Sequence, residues 1–331
     1  MTFLTDTQVD RIKWEILLSD NLFSTPFQSP DFYDFFNSNP NLSAKVFAVE
    51  ENNELKSLCV VTFQKENGIK GYFSRRAIIY GGPLVVSQGN NYLSELLKRI
   101  NDSLKSKVIY TETRNLNDYS DYKNDFIRAG FAFEQHLNYR LNCTSEETVW
   151  ANMNTNRKRQ IKKALKNGVV LEEAKTGDEI AQYYQILHDL YVNKIKKPLF
   201  PFPFFKILFE KNLAKFILVK WQDKIIGGIV SPVLPDKIIY EFYICGLDQE
   251  YKDLSPSVMA TYAAIEYGFK NNLKTFDFMG AGKPDEDYGV RDFKAKFGGE
   301  LVEHGRYLKI NNPFLYSLGK TALSLLAKIK K

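Results

Sequence analysis

The densest chemistry in the sequence lies at Asn156 to Ala164, NRKRQIKKA. Six of the ten residues from Arg157 to Lys166 are basic and none is acidic. On a helix Ile161 and Leu165 share the inward face, while Arg157, Lys158 and Lys162 project elsewhere, so several cations can converge on one anion. A helix that serves only solubility usually mixes both signs, because like charges four residues apart repel. A second concentration is Phe276 to Gly299, FDFMGAGKPDEDYGVRDFKAKFGG. Here a strand runs into a glycine-rich, acidic loop and then a basic-aromatic turn with Arg291, Phe293, Lys294, Lys296 and Phe297. Glycines allow a backbone to approach a ligand closely, and Lys294 is placed to set a positive charge beside a developing oxyanion. Phe293 and Phe297 also suit a core. Asp277, at the strand end, is either a general base or a capping acceptor.

Two further segments could meet a partner. Lys196 to Phe209, KKPLFPFPFFKILF, holds five phenylalanines and three prolines and reads as a cleft wall, a lipid contact or a buried helix start. Pro313 to Lys331 carries Leu315, Leu318, Ala322, Leu325 and Ile329 at helical spacing, with Lys320, Lys328, Lys330 and Lys331 on or beyond it. Such a basic amphipathic helix either docks on its own domain or lies on an anionic membrane surface.

Other chemistries are excluded by what is missing. Gly280, Gly282 and Lys283 suggest a phosphate loop, but the first Walker glycine would be Asp277, and Pro284 stands where Ser or Thr is needed. The dinucleotide fingerprint fails at Asp285. There are three histidines, His136, His188 and His304, with no HExxH motif and no nucleophile elbow, which disfavours metalloenzymes and Ser–His–Asp hydrolases. No metal is expected. Cys59, Cys143 and Cys245 form no CxxC pair, which points to a reducing cytoplasm. The first residues hold acidic groups and no continuous apolar core, unlike a secretory signal. The best apolar stretch, Ile225 to Leu234, is interrupted by Gly227, Gly228 and Pro232 and is too short for a bilayer, which needs about 20 apolar residues.

The elements that must position these residues follow from composition and periodicity. A chain of 331 residues with 44% hydrophobic and 25% charged residues is globular and long enough for two domains. Its charge is one-sided: residues 1–143 hold 16 basic against 17 acidic side chains, and residues 144–331 hold 29 against 22, so an anionic partner is expected for the second half. In the first half, KVFAVE and SLCVVTF around the turn EENNE read as a hairpin. Arg76 to Tyr80 and Val108 to Thr111 read as strands, and Leu93, Leu96, Leu97, Ile100 and Leu104 mark a helix. In the second half, Thr144 and Glu147 suggest a capping box opening a helix that runs to Asn167, with Gly168 beyond it. Then come a strand at 169–174, helices at 178–194 and 203–213, a hairpin at 216–230, a strand at 238–245, a small-residue helix at 257–271 and a strand at 275–279. Both halves read as mixed-sheet α/β units, with domains at 1–143 and 144–312 followed by the C-terminal helix at 313–331.

NRKRQIKKALKNGVVLE resembles the basic helix and following strand of the Fem-type peptidoglycan bridge-forming aminoacyltransferases, and FDFMGAG…VRDFKAKFGGEL is similar to their C-terminal signature. TPFQSPDFYDFF and IIYGGPLVV look like the family's first domain. The resemblance spans roughly residues 24–310. It implies two tandem GNAT-like acyltransferase domains. It also implies transfer of an aminoacyl group from aminoacyl-tRNA to an amine of an anionic cell-envelope precursor, in the cytoplasm or at the inner face of the membrane. By motif position Lys294 contacts the acyl-ester end of the donor with Phe293 beside it, Tyr243 faces the acceptor, and Arg157, Arg159 and Lys162 anchor phosphate. Arg291 belongs to the same substrate-binding set. The arginine of the acceptor site falls near Asn193 or Lys194, and the long coiled-coil arm of some members is absent. The loop LDQEYKDLSPSV after Cys245 lacks the glycine-rich turn that cradles coenzyme A, so no resident cofactor is expected. An acyl-coenzyme A N-acyltransferase in surface-polysaccharide or lipid assembly is the alternative, and a non-catalytic tRNA- or membrane-binding protein the third reading.

Overall fold

The computed structural model describes residues 1–40, 42–65, 69–86 and 91–329. In the first unit β1 (Thr2–Thr5) precedes α1 (Arg11–Ser19), whose N-cap Asp10 accepts from the amides of Ile12 and Lys13. Then α2 (Pro30–Ser38) leads into the hairpin of β2 (Leu42–Glu51) and β3 (Glu54–Gln64), with Asn52 and Asn53 at positive φ in its turn. After α3 (Ile69–Ser74), β4 (Arg76–Gly81), β5 (Leu84–Val85) and α4 (Tyr92–Leu104) follow. Next are β6 (Tyr110–Asn115), α5 (Lys123–Arg128) and β7 (Ala132–Glu134). The five apolar residues expected on the α4 face are all buried, against Phe47, Cys59, Val61 and Ile79 of the sheet.

The second unit begins with β8 (Asn138–Asn142). Where one helix was expected from 144 to 167 there are two, α6 (Glu146–Asn152) and α7 (Thr155–Lys166). Ser145, not Thr144, caps the first, and Asn154 caps the second by accepting from the Asn156 amide, while the Asn154 amide turns away to Lys296 O at 3.0 Å. Local Asn hydrogen bonding thus outcompetes helix continuation. Then come β9 (Val170–Glu173), α8 (Gly177–Leu190), a π-helical turn (Tyr191–Ile195) and α9 (Phe202–Glu210). The long hairpin of β10 (Ala214–Trp221) and β11 (Lys224–Leu234) follows. The strand expected at 238–245 is split into β12 (Ile238–Tyr240) and β13 (Tyr243–Gly246). Then α10 (Pro256–Lys270), β14 (Thr275–Asp277), α11 (Gly289–Ala295) and β15 (Glu300–Val302) complete the unit. Its sheet runs β15-β8-β14-β12-β11-β10-β9, with β13 also paired to β11. Ala260, Ala263 and Ala264 are buried on α10, so their small side chains let the helix lie close on β10 and β11.

The chain then returns to the first sheet through β16 (Arg306–Ile310), inserted between β6 and β7, and ends in α12 (Pro313–Ile329). The units are therefore 1–135 with 304–331, and 136–303. This differs from the expected division at 143 and 312. Each sheet takes a strand from across the expected boundary, which no local pattern signals. On α12, Phe314 and Leu318 are 76% and 46% exposed; Lys330 and Lys331 lie outside the described residues. No helix among the described residues is long and apolar enough to cross a membrane.

The start of α8 is fixed by charge. Glu179 completes a capping box with Thr176 and reaches Lys220 of β10 at 2.7 Å, and hydrogen bonds from Lys220 and the Lys175 amide lower its pKa to about 2. A folded-state pKa below the unfolded one gives stability that is present above the unfolded value and lost as pH falls toward 2. Glu179→Gln should therefore cost about 1 kcal/mol at pH 7, discounted for solvent screening, with the difference from wild type vanishing near pH 2. Urea unfolding across that range checks it.

Candidate active site

The site grows out of the split strand. Strand β12 pairs with β11 through Ile238 and Ile239 and with β14 as far as Tyr240, and the Glu241 amide donates to Asp277 O at 2.9 Å as the last rung toward β14. Beyond it β13 keeps only β11 as a partner among the described residues, with its register moved by one, Val230 opposite Tyr243. The sheet therefore opens at Glu241, a charged residue that is 5% exposed. Its carboxylate accepts from Thr261 Oγ1 at 3.1 Å and pairs with Lys294 Nζ at 3.0 Å.

Lys294 is itself buried. Besides Glu241, its ammonium donates to the carbonyls of Phe278 at 2.5 Å and Gly280 at 2.8 Å, so all three of its protons are engaged. One turn earlier on α11, Arg291 donates to the carbonyls of Ala281, Lys283 and Pro284. Two cations of one short helix thus gather five carbonyls of the loop 278–284. Gly280 has φ +122, a conformation that side chains rarely adopt. Arg291 is accordingly a loop clasp in this structure.

Asp277 is fully buried, and of its two sequence-level roles the geometry suits the capping acceptor. Oδ1 accepts from Asn138 Nδ2 at 2.8 Å and the Met279 amide at 2.7 Å, while Oδ2 lies 3.7 Å from Arg140 Nε. Burial pushes its pKa up against the opposing pull of Arg140.

A separate cleft of about 1280 Å³ is walled by α7, the loop 248–255, the first turn of α10 and α11. Arg157, Arg159, Lys162, Lys163, Lys252 and Lys296 line it against Asp248 and Asp292. The three expected phosphate anchors share this cleft in different ways. Arg159 is exposed and bonds Asn156, and the Lys162 ammonium sits 5.4 Å from the Trp150 ring centroid. Arg157, expected to project outward, is 3% exposed. Its guanidinium lies 4.6 and 4.5 Å from the Phe293 and Phe297 ring centroids and donates to Phe293 O at 2.9 Å. Burial lowers its pKa to about 10, and its Nε has no hydrogen-bond partner among the described residues. Leu165, placed inward from sequence, is 41% exposed and Ala164 is buried in its stead.

The N-terminus of α10, a natural anion site, holds an internal carboxylate. Asp248 accepts from the Ser257 amide at 3.0 Å and from the Ser257 hydroxyl. Gly246 makes this approach feasible, because a Cβ there would fall 2.5 Å from the Ser257 nitrogen.

Lys194 and Tyr243 stand apart from the basic cleft. Lys194 is exposed on the π-helical turn. Tyr243 is half-buried, its carbonyl accepts from Tyr183 Oη at 2.9 Å, and its ring packs 5.0 Å from Phe205 and 6.1 Å from Tyr191. Among residues missed from sequence, Glu241 did carry a signal, a lone acid within the apolar run IIYEFYIC; Lys252 carried none. No three or more His, Cys, Asp or Glu among the described residues are grouped to hold a metal ion.

Comparison with known proteins fits this geometry. Residues 151–294 match the family model described as an acetyltransferase (GNAT) domain. No curated protein matches the sequence. The fold is similar to the crystal structure of FemX, with 13% identity, TM-score 0.72, and 96% of this chain and 99% of that one covered. It is also similar to the C-terminal domain of a putative lysylphosphatidylglycerol synthetase from Agrobacterium fabrum, at 11% identity and TM-score 0.61, covering 95% and 96%. A tandem GNAT protein from the clavulanic acid biosynthesis pathway matches at 9% identity and TM-score 0.60, covering 94% and 99%.

If the Glu241–Lys294 pair is the clamp described, Lys294→Ala should cost roughly 3–5 kcal/mol by stranding a buried carboxylate. Glu241→Ala/Lys294→Ala should cost clearly less than the two single changes together. A double-mutant cycle by urea unfolding checks the coupling; additive losses would show no clamp. The expected mixed α/β fold of two GNAT-like units is the observed one, and residues 151–294 of this chain match an acetyltransferase (GNAT) domain.

Proposed function

We propose that the protein transfers an aminoacyl group from aminoacyl-tRNA to an amine of an anionic cell-envelope precursor such as a peptidoglycan stem peptide. The observation that carries this reading is the basic cleft beside an α10 N-terminus already occupied by Asp248. A cofactor pyrophosphate would meet that carboxylate, whereas the remaining cations suit a partner with several separate phosphates. The resemblance of the α7 and α11 segments to the Fem-type enzymes points the same way.

Amine attack on the donor ester needs a proton acceptor and a stabilised oxyanion. In this reading Arg159 and Lys162 anchor donor phosphates. Arg157 braces Phe293 and so sets the angle of α11. Lys294 exchanges the Gly280 carbonyl for the ester oxygen, with Glu241 keeping the ammonium in place. Asp277 holds the Met279 turn; as the amine nitrogen forms the amide bond, the ester C–O bond to the tRNA ribose breaks, and the amine proton passes by way of a substrate phosphate to the departing ribose oxygen. The protein acts in the cytoplasm, and the acid-free stretch 304–331, with Phe314 and Leu318 exposed, brings it to the inner face of the membrane.

Titration of the purified protein with bulk aminoacyl-tRNA and with coenzyme A tests the donor. Arg159→Glu/Lys162→Glu should weaken tRNA binding at least tenfold and flatten its salt dependence by roughly 0.7–0.9 in log–log slope per lost phosphate contact. Coenzyme A binding without tRNA binding would replace this reading with the acyl-coenzyme A alternative.

A further inference from the structure

A projection in the second unit is not used by the reading above. Val192 to Pro198, VNKIKKP, are seven consecutive exposed residues. They leave α8 through the π-helical turn, whose end is set by Lys196 at φ 54, with its amide donating to Tyr191 O at 2.7 Å. Turns of this kind are uncommon and often functional. The base of the projection is fixed by aromatic packing. Phe200 stacks on Phe204 at 4.1 Å, and Tyr184 lies 5.4 and 5.3 Å from Phe202 and Phe205.

Its surface is basic and aliphatic together. Val192 is 57% exposed and Ile195 36%. From residue 190 to 209 there are four lysines and no acid. Of the flanking acids, Asp189 lies 3.7 Å from His188 and Glu210 pairs with Lys206 at 3.6 Å, and neither Lys194 nor Lys197 has a carboxylate partner among the described residues.

We propose that residues 192–198 dock on an anionic phospholipid surface, with Val192 and Ile195 entering the headgroup layer and the lysines meeting lipid phosphates. Charge alone would also suit RNA. The aliphatic pair decides for lipid, because sequence-tolerant RNA contacts use exposed aromatic faces, and here Phe204 and Phe205 are buried while the partly buried Phe200 and Phe202 pack against Phe204 and Tyr184. The inference deepens the reading above by delivering the enzyme to a membrane where its acceptor is made, and its test needs neither donor nor acceptor.

The test is flotation of the full chain with phosphatidylcholine vesicles, with and without phosphatidylglycerol. Wild type should float only with the anionic vesicles. Lys194→Glu/Lys197→Glu should cut partitioning by more than tenfold, at about fivefold per lysine. Val192→Ser/Ile195→Ser should also lower it, at unchanged net charge. Lys320→Glu on α12 separates the C-terminal helix from this surface. Three results would overturn the proposal: no preference for anionic vesicles, flotation untouched by both double variants, or loss of tRNA binding by the charge reversal with flotation intact.

Discussion

The buried ion pair between Glu241 and Lys294 is the constraint around which the second unit is arranged. A carboxylate and an ammonium are taken out of water where the sheet opens. That is tolerable because further partners lie nearby: Thr261 donates to the carboxylate, and two loop carbonyls take the remaining protons of the ammonium. The pair ties β12, α10 and α11 to the glycine-rich loop, so a shift in any of them strands a charge.

Around that fixed point the functional surfaces take their places. Arg291 holds three further carbonyls of the same loop, and Arg157 braces α11 from α7 by lying on Phe293 and Phe297. With α11 held from two sides, the cations left exposed on α7 and at Lys296 keep a constant spacing across the cleft. Recognition of a polyanion by several pre-placed cations gains from such rigidity, since less side-chain entropy is lost on binding. In the proposed function the Asp248 carboxylate at α10 adds selectivity by repelling a phosphate there.

The sequence revealed some of this and concealed the rest for identifiable reasons. Leu93 to Leu104 announced a helix face because burial on one side imposes a period. The cluster NRKRQIKKA announced a basic wall because its charges are unmixed, and it lines the basic cleft. The role of Arg157 was hidden, because a basic residue inside a basic run gives no sign of turning inward onto two rings 136 and 140 positions away. The contacts that hold Arg291 and Lys294 were hidden as well: apart from Glu241 they are backbone carbonyls, and backbone leaves no trace in composition. Exchange of β8 and β16 between the sheets is a long-range pairing that no local pattern encodes.

The central claim concerns the group transferred and its carrier, and a direct transfer assay tests it most plainly. The purified protein is incubated with bulk charged tRNA, or with acyl-coenzyme A, and a soluble nucleotide-linked stem-peptide precursor, and the precursor mass is read by mass spectrometry. The account predicts a gain equal to one amino-acid residue that requires charged tRNA and disappears with ribonuclease. An acyl gain from the coenzyme A thioester, with none from charged tRNA, would contradict it.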